Sequence, residues 1–439
     1  MTADNDSQFI RWFRGAAPYI NAHRGQVFVV QFGGELVASD AFTAFIHDVV
    51  LLDALGIKLV LVHGARPQVD ERIVRQGGTP EFANGRRVTS EATLTLVKEA
   101  VGLVRFEVES RLSMGMANSP MAGAQIRVNS GNFVTARPVG VRDGVDFGYS
   151  AEVRKVDSQA IAACAANDQI VLLSPVGYSP TGEMFNMSSE EVATAAAVAI
   201  GATKLVMVAD ARTDESLPRQ LTLVEAKAAL ITLHQQRGET APTSAQQLAG
   251  AVHACRNGVR RAHILDGAID GALLQELFTR DGVGTMVSAD VYDETRVATV
   301  EDVAGIVELI SPLEADGVLV RRSRDKLENE VGRFTVMERD GAVVACAALY
   351  PVNGTDLAEL ACLAVHPLYR SRERGDALLA QIEARARAAD ATQLFVLTTH
   401  TAQWFVERGF ANVSVDALPV ERRDMYNYQR NSKVLIKSL

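Results

Sequence analysis

The sequence predicts an α/β protein, a mostly parallel sheet sandwiched by helices, followed by a smaller α+β unit. Three observations carry this reading. Short β-branched runs such as VFVVQF (27–32), KLVLVHG (58–64) and KLVMVAD (204–210) alternate with helix-length segments up to about residue 286. Runs that are apolar on both faces suit strands covered by helices on each side, the arrangement of a parallel sheet. Beyond residue 296 the strands follow one another directly, which suits a separate, smaller unit. The chain is 439 residues long, room for two or three domains, and 48% hydrophobic with 22% charged, so a packed globular protein is expected.

Taken in order, VFVVQF is a buried strand, Phe42 to Leu55 a helix, and KLVLVHG the next strand. Pro67 opens a further helix, and Thr89 is the expected cap of a long one ending near Met114. IVLLSPVG (170–177) is a strand into a turn. SSEE (188–191) is a capping box, Ser188 with Glu191, that starts an alanine-rich helix to about Ile200. KLVMVAD and AHILDG (262–267) are further buried strands. The polar, aperiodic VSADVYDETR (287–296) reads as a linker between a first domain, 1–286, and a second, 297–439. In the second, FTVMER (334–339), AVVACAALY (342–350) and LAELACLAV (357–365) are consecutive strands. Gly375 to Ala389 is a helix with Leu378, Leu379, Ile382 and Ala386 on one face, QLFVLTT (393–399) a strand, and TAQWFVERGF (401–410) a short helix ending in glycine.

Composition narrows the function. A net charge of −9 argues against a general nucleic-acid binder, whose surface would be basic. Cys164, Cys255, Cys346 and Cys362 show no CxxC spacing, so neither a disulfide framework nor a zinc site is expected, and a reducing compartment fits. The polar start MTADNDSQFIRWFRG does not read as a signal peptide, and no run reaches the ~18 apolar residues of a membrane span. The expected location is the cytoplasm, without membrane attachment and without a metal.

The stretch LACLAVHPLYRSRERGDALLAQIEARA (360–386) joins a strand to a glycine-containing turn and a helix. Backbone N–H groups at such a helix start, with the helix dipole, can bind a pyrophosphate, and Arg370, Arg372 and Arg374 add positive charge there. A surface turn with solvated arginines would carry the same residues. Glu359 lies inside the apolar run LAELACLAV, where burial would raise its pKa towards that of a working general base, although strand alternation also permits it to face water. Cys362, on the same strand, could act as a covalent nucleophile, but small strand cysteines are usually core.

V-H-P-x-Y-R, the turn and G-x-x-L-L (365–379) resemble the acetyl-CoA-binding motif of GNAT-type N-acetyltransferases. The family's R-x-x-G-x-G is here R-S-R-E-R-G, with Glu373 at the first glycine position. The resemblance implies that Cys362, Leu363 and Val365 flank the pantetheine arm, and that Arg370, Ser371, Arg372, Arg374, Gly375 and Asp376 surround the pyrophosphate. The similarity widens through GVLVRRSRDKLE (317–328), CAALYPV (346–352), LFVLTTHTAQWFVERGF (394–410), YNYQRNSKVL (426–435) and DGALLQELFTRDGVGTM (270–286). Together these stretches are similar to the bacterial N-acetylglutamate synthases. That implies acetylation of the α-amine of L-glutamate by direct attack on acetyl-CoA, the first step of arginine biosynthesis, with no metal. It also implies Glu359 as base, Thr398 as donor to the departing thiolate with Tyr426 a second candidate, Arg322 on one substrate carboxylate, and Arg430 with Ser432 on the other, helped by Arg422.

The first domain resembles the amino-acid-kinase fold, closest to acetylglutamate kinase, through Phe32-Gly33-Gly34, HGARP (63–67), NGRRVT (84–89) and SPVG…GEMFNMSSEEVA (174–193). A kinase needs cations around the transferring phosphoryl group. The lysine before the glycine pair is Gln31 here. H-G-G-G-P is replaced by His63-Gly64-Ala65-Arg66-Pro67, and no lysine occurs between Lys227 and Lys326. The expectation is a kinase-inactive regulatory domain. By resemblance it binds L-arginine as feedback inhibitor through Tyr19, Asp266, Glu276, Gly282 and Gly284, in a homo-hexamer whose N-terminal segment FIRWFRGAAPYI (9–20) packs against a neighbouring subunit. Two other readings remain: an active acetylglutamate kinase with an accessory acetyl-CoA-binding domain, and a non-enzymatic arginine sensor.

Overall fold

A computed structural model describes residues 3–115, 119–209, 217–237, 243–279, 282–288, 294–339, 342–352, 354–370, 374–424 and 432–439. The chain folds as two compact units, Met1–Asp290 and Val291–Leu439.

The first unit is built on an eight-stranded sheet in the spatial order Gln220–Thr222, Thr285–Ser288, Arg261–Asp266, Lys204–Ala209, Val27–Phe32, Lys58–His63, Ile170–Leu173, Val128–Asn129. All pairings are parallel except that of Thr285–Ser288 with Arg261–Asp266. Alternation along Val27–Phe32 splits the interior in two. Phe28, Val30 and Phe32 point to a core shared with helices Phe42–Ala54 and Glu91–Leu112. Val29 packs with Val60, Val62, Leu205 and Met207 beneath helices Ser189–Ile200 and Thr243–Arg256. Gln31 shares the parity of Val29, and its amide donates to Ser189 Oγ at 3.2 Å. A smaller four-stranded sheet, Met184–Asn186, Val176–Tyr178, Val134–Pro138 and Ala151–Val156, lies in the same unit.

The second unit is a seven-stranded sheet in the order Glu294–Val297, Phe334–Arg339, Ala342–Pro351, Leu357–Val365, Gln393–Thr398, Lys433–Ser438, Ala411–Val413. Only the central pair, Leu357–Val365 with Gln393–Thr398, is parallel, because helix Arg374–Ala388 crosses over between them. That pairing runs from Leu357↔Gln393 to Leu360↔Val396 and stops there. The next residues of the first strand form a bulge against Ala342–Pro351, with Cys362 at φ 54°. Bulge and lost pairing together open a gap between the two central strands.

Three expectations are corrected. The cap of the long helix is Ser90, whose hydroxyl accepts from Thr93 N–H; Thr89 is buried and bonds Ser150 and Asn186 instead. The capping box at Ser188 is half made. Ser188 Oγ accepts from Glu191 N–H, but the Glu191 carboxylate turns to Arg86 and to Val153 N–H. The stretch 287–296 is not a plain linker: Val287 and Ser288 end a strand of the first sheet, and Glu294–Val297 is the edge strand of the second. Residues 9–20 fall inside a helix, Ala3–His23, on which Ile10, Trp12 and Phe13 are exposed, while His23 at its end contacts the Leu277 carbonyl at 2.9 Å and the Phe278 ring. No described helix is long and apolar enough to cross a membrane.

Candidate functional site

The gap in the second unit gathers most of the expected catalytic residues. Glu359 sits one position before pairing stops, between Tyr350 on one neighbouring strand and Phe395 on the other. It is 7% exposed. Burial raises its pKa above the usual carboxylate range, while the nearby charges of Arg422 and then Arg322 pull it back. Arg422, on the short helix Val420–Asp424, makes an ion pair with the Glu359 carboxylate. Its guanidinium therefore faces the expected base. Arg322 approaches from the segment before helix Arg324–Glu330. Its backbone N–H donates to Glu314 at 3.0 Å and its Nη1 to the Val320 carbonyl at 3.1 Å.

Tyr350 is a member of this cluster that sequence reasoning missed. Burial pushes its phenol up to about 12, and its Oη donates to Glu330 at 2.8 Å, with the Arg333 guanidinium 5.0 Å over the ring. Its position directly opposite Glu359 on an adjacent strand was the available signal. Thr398 ends its strand at the mouth of the gap, and its hydroxyl accepts from Thr401 N–H at 3.1 Å. Cys362 is buried, and its carbonyl faces the Cys346 thiol at 3.7 Å. Ser432 immediately precedes strand Lys433–Ser438. Tyr426 and Arg430 lie outside the described residues.

Around the expected pyrophosphate turn the placements divide. Leu363 and Val365 lie on the strand past the point where pairing ends. Arg370 is exposed and its Nε donates to the Val365 carbonyl at 3.3 Å. Ser371 and Arg372 lie outside the described residues. Arg374 does not project into a phosphate site. It is 4% exposed, donates to the Tyr369 carbonyl at 3.1 Å and lies 5.3 Å over the Tyr369 ring, so its charge holds the turn together. Gly375 sits where an added Cβ would come within 3.0 Å of the Trp404 ring. The Asp376 carboxylate is forked to Arg408, which leaves the backbone N–H of the first turn as what this residue offers an anion.

In the first unit one of the expected effector residues, Glu276, centres a hydrogen-bond network. Glu276 Oε2 accepts from the N–H groups of Val283 and Gly284, both at 2.8 Å, and Oε1 meets His263 Nδ1 at 2.7 Å. The far side of that ring, Nε2, lies 3.4 Å from Lys204 Nζ. Burial opposes charge on Glu276, but His263 and the two N–H groups outweigh it and hold the carboxyl at about 2. Burial, then Lys204, keeps His263 neutral, so the ring donates from Nδ1 and accepts at Nε2. Gly282 and Gly284 serve this clamp: a Cβ on Gly282 would stand 2.3 Å from Glu276 Oε2, and one on Gly284 2.5 Å from the Ile264 carbonyl. Asp266, at its strand end, accepts from Ala268 N–H at 2.9 Å, and Tyr19 is half-buried with its ring 6.4 Å from His23. Lys204 and His263 were not anticipated, because they come from two neighbouring strands with no local motif.

The same unit holds a cavity of about 960 Å³ lined by Gln31, Gly33, Gly34, Gly64, Arg66 and Ser188, among others. No lysine lines it among the described residues. The retained glycines answer to the fold itself. A Cβ on Gly34 would come within 3.0 Å of Ala65 Cα, and one on Gly64 within 3.0 Å of Gly34 N.

Comparison with known proteins follows the same division. Residues 26–266 match the amino acid kinase family and residues 305–410 the acetyltransferase (GNAT) family. An amino-acid acetyltransferase of Ectopseudomonas mendocina is 52% identical across 98% of this chain and 99% of its own length. That of Azotobacter vinelandii is 51% identical over the same shares. Among solved structures, the N-acetylglutamate synthase from Neisseria gonorrhoeae complexed with coenzyme A and L-arginine is 38% identical. It superimposes with a TM-score of 0.88 over 98% of this chain and 99% of that one. The complex of that synthase with coenzyme A and N-acetyl-glutamate gives 0.61 over the same shares.

Proposed function

The chain belongs to the amino-acid acetyltransferase family, and we propose that it transfers the acetyl group of acetyl-CoA to the α-amine of L-glutamate, the first step of arginine biosynthesis. The observation that carries this reading is Glu359, a buried carboxylate at the gap between two parted strands, with Arg322 and Arg422 beside it. The amine of glutamate is protonated at neutral pH and must lose a proton to attack. A carboxylate raised by burial is suited to take it. The freed amine attacks the thioester carbonyl, and the tetrahedral intermediate expels the CoA thiolate, which takes a proton from Thr398, directly or through water, while Thr398 regains one from the attacking nitrogen as it becomes the amide. Arg322, with Arg430, Ser432 and Arg422, holds the two carboxylates by charge-assisted hydrogen bonds. The acetyl-CoA pantetheine lies along Cys362, Leu363 and Val365, and its pyrophosphate meets the N–H groups at the start of helix Arg374–Ala388.

Residues 1–286 act as a kinase-inactive regulatory domain that binds L-arginine as feedback inhibitor, and 297–439 as the acetyltransferase, in a cytoplasmic homo-hexamer. The lysine-free cavity supports the first part of that statement, and the acidic Glu276 network offers partners for a guanidinium. The test is to incubate the protein with acetyl-CoA and L-glutamate, following free thiol and N-acetylglutamate, and separately with Mg-ATP and N-acetylglutamate. Acetylation that falls with added arginine is expected. Phosphorylation without acetylation would overturn the reading. Light scattering checks the hexamer.

A further inference from the structure

We propose that Arg422 is a ligand-displaced latch on Glu359: it pairs with the base, and an incoming substrate carboxylate draws it away. The inference rests on the glutamate-acetylating reading above and adds to it a coupling between substrate recognition and the strength of the base.

The geometry of the pair is unequal. The Arg422 side chain is 31% exposed and that of Glu359 10%. The arginine can therefore swing to a ligand, and the carboxylate cannot follow it. Among the described residues, the other groups around Glu359 are already engaged. Tyr350, from the strand on one side, gives its hydroxyl proton to Glu330, and Phe395, from the other side, is apolar. Arg333 lies over the Tyr350 ring. Arg322, the second cation, is tied at its backbone to Glu314 and at Nη1 to the Val320 carbonyl. Among the described residues, the movable cation at the base is Arg422.

A carboxylate entering the gap offers Arg422 a charge-assisted fork in place of its pair with Glu359. Once Arg422 turns to it, Glu359 keeps its burial and loses its nearest cation. That loss favours the protonated form, so the base strengthens in the complex that needs it. An amine without a carboxylate leaves the latch closed. Selection for carboxylate-bearing amines then acts on turnover as well as on binding.

The test is a set of pH profiles for wild type, Arg422→Gln and Arg422→Lys. In wild type the acidic limb of kcat/KM, which reports the free enzyme, is expected about one pH unit below that of kcat. Arg422→Gln is expected to raise the kcat/KM limb by about one unit and close the gap, and Arg422→Lys to keep it. A kcat/KM limb left unmoved in Arg422→Gln overturns the latch, since a purely structural residue would leave it in place. A second measurement needs no Arg422 variant. The Glu359 carboxyl is titrated by carbon-13 NMR in the full chain, assigned by its loss in Glu359→Gln, with and without glutarate at fully inhibiting concentration. Glutarate is expected to raise the pKa, and an unchanged or lowered value overturns the proposal. Failure of the underlying reading looks different: Glu359→Gln would then keep normal turnover, whereas failure of the latch alone leaves that variant inactive.

Discussion

Replacing Glu359 with glutamine keeps the shape of the side chain and removes its capacity to accept a proton. Loss of a general base costs on the order of 10²–10⁴ in turnover, which is about 2.7–5.4 kcal/mol at 1.36 kcal/mol per factor of ten. The substitution should not unfold the protein. Arg422 loses its ion-pair partner, but with its side chain 31% exposed it can turn to water, so that loss is worth about 1 kcal/mol or less. The protonation balance runs the other way. Burial holds the Glu359 pKa above its unfolded value, so the folded chain binds more protons. Wild-type stability therefore falls as pH rises from the ordinary carboxylate range through the raised value, and glutamine abolishes that fall. Melting at neutral pH should then stay close to wild type while turnover, followed as CoA thiol release, drops at least a hundredfold. The deficit should shrink at alkaline pH, where free amine forms unaided. Turnover within tenfold of wild type at neutral pH would refute Glu359 as the base.

Arg322→Ala and Arg430→Ala are expected to raise KM for glutamate with little change for acetyl-CoA, each removing a fork worth about 2–4 kcal/mol; equal weakening of both substrates would contradict the assignment. Glu276→Ala strands two buried N–H donors and the Lys204–His263 pair, so thermal unfolding should show a loss of about 2–4 kcal/mol and calorimetry a loss of arginine binding. Asp48 is pushed up to about 7 by burial, with Asp270 adding to it, so the folded chain holds this proton longer than the unfolded one and stability falls as pH rises between roughly 4 and 7. Asp48→Asn should flatten that fall and raise the melting temperature near pH 8 by about 2–4 °C; parallel melting curves for the two proteins would count against it. Gln31→Lys should yield no phosphoryl transfer in a coupled kinase assay and a lower melting temperature, and tight Mg-ATP binding by the wild type would revive the kinase alternative.

Period-two alternation made the long strands legible, since Phe28, Val30 and Phe32 must face one way and Val29 and Gln31 the other. The three-residue strands Val176–Tyr178 and Met184–Asn186 are too short to show any period, and the smaller sheet they form was not anticipated. Thr89 and Ser90 are both good caps side by side, and burial of the first against Ser150 decided between them. In the candidate site, Glu359 was legible because a carboxylate interrupts an apolar run. Its pairing with Arg422 was not, because the contact joins distant parts of the chain. Arg374 misled for a physical reason. Arginine is usually exposed, and a cluster of three beside a glycine looks like a phosphate site, yet one of the three is spent on Tyr369.

Gln31 bears on the proposal that residues 1–286 keep the amino-acid-kinase fold without kinase chemistry. Position 31 is 1% exposed, between Val62 and Met207 on the neighbouring strands. A lysine there is tolerable when a phosphate sits opposite. Without that anion it is a buried cation with no partner, and desolvation costs several kcal/mol. Glutamine offers hydrogen-bond donors of similar reach with no charge, and its amide meets Ser189 at 3.2 Å. Gly34 and Gly64 persist for a separate reason, because their backbones touch one another or the Ala65 turn whatever the cavity holds. The glycines are therefore weak support for kinase activity, and an uncharged residue at position 31 supports the proposed kinase-inactive domain more directly.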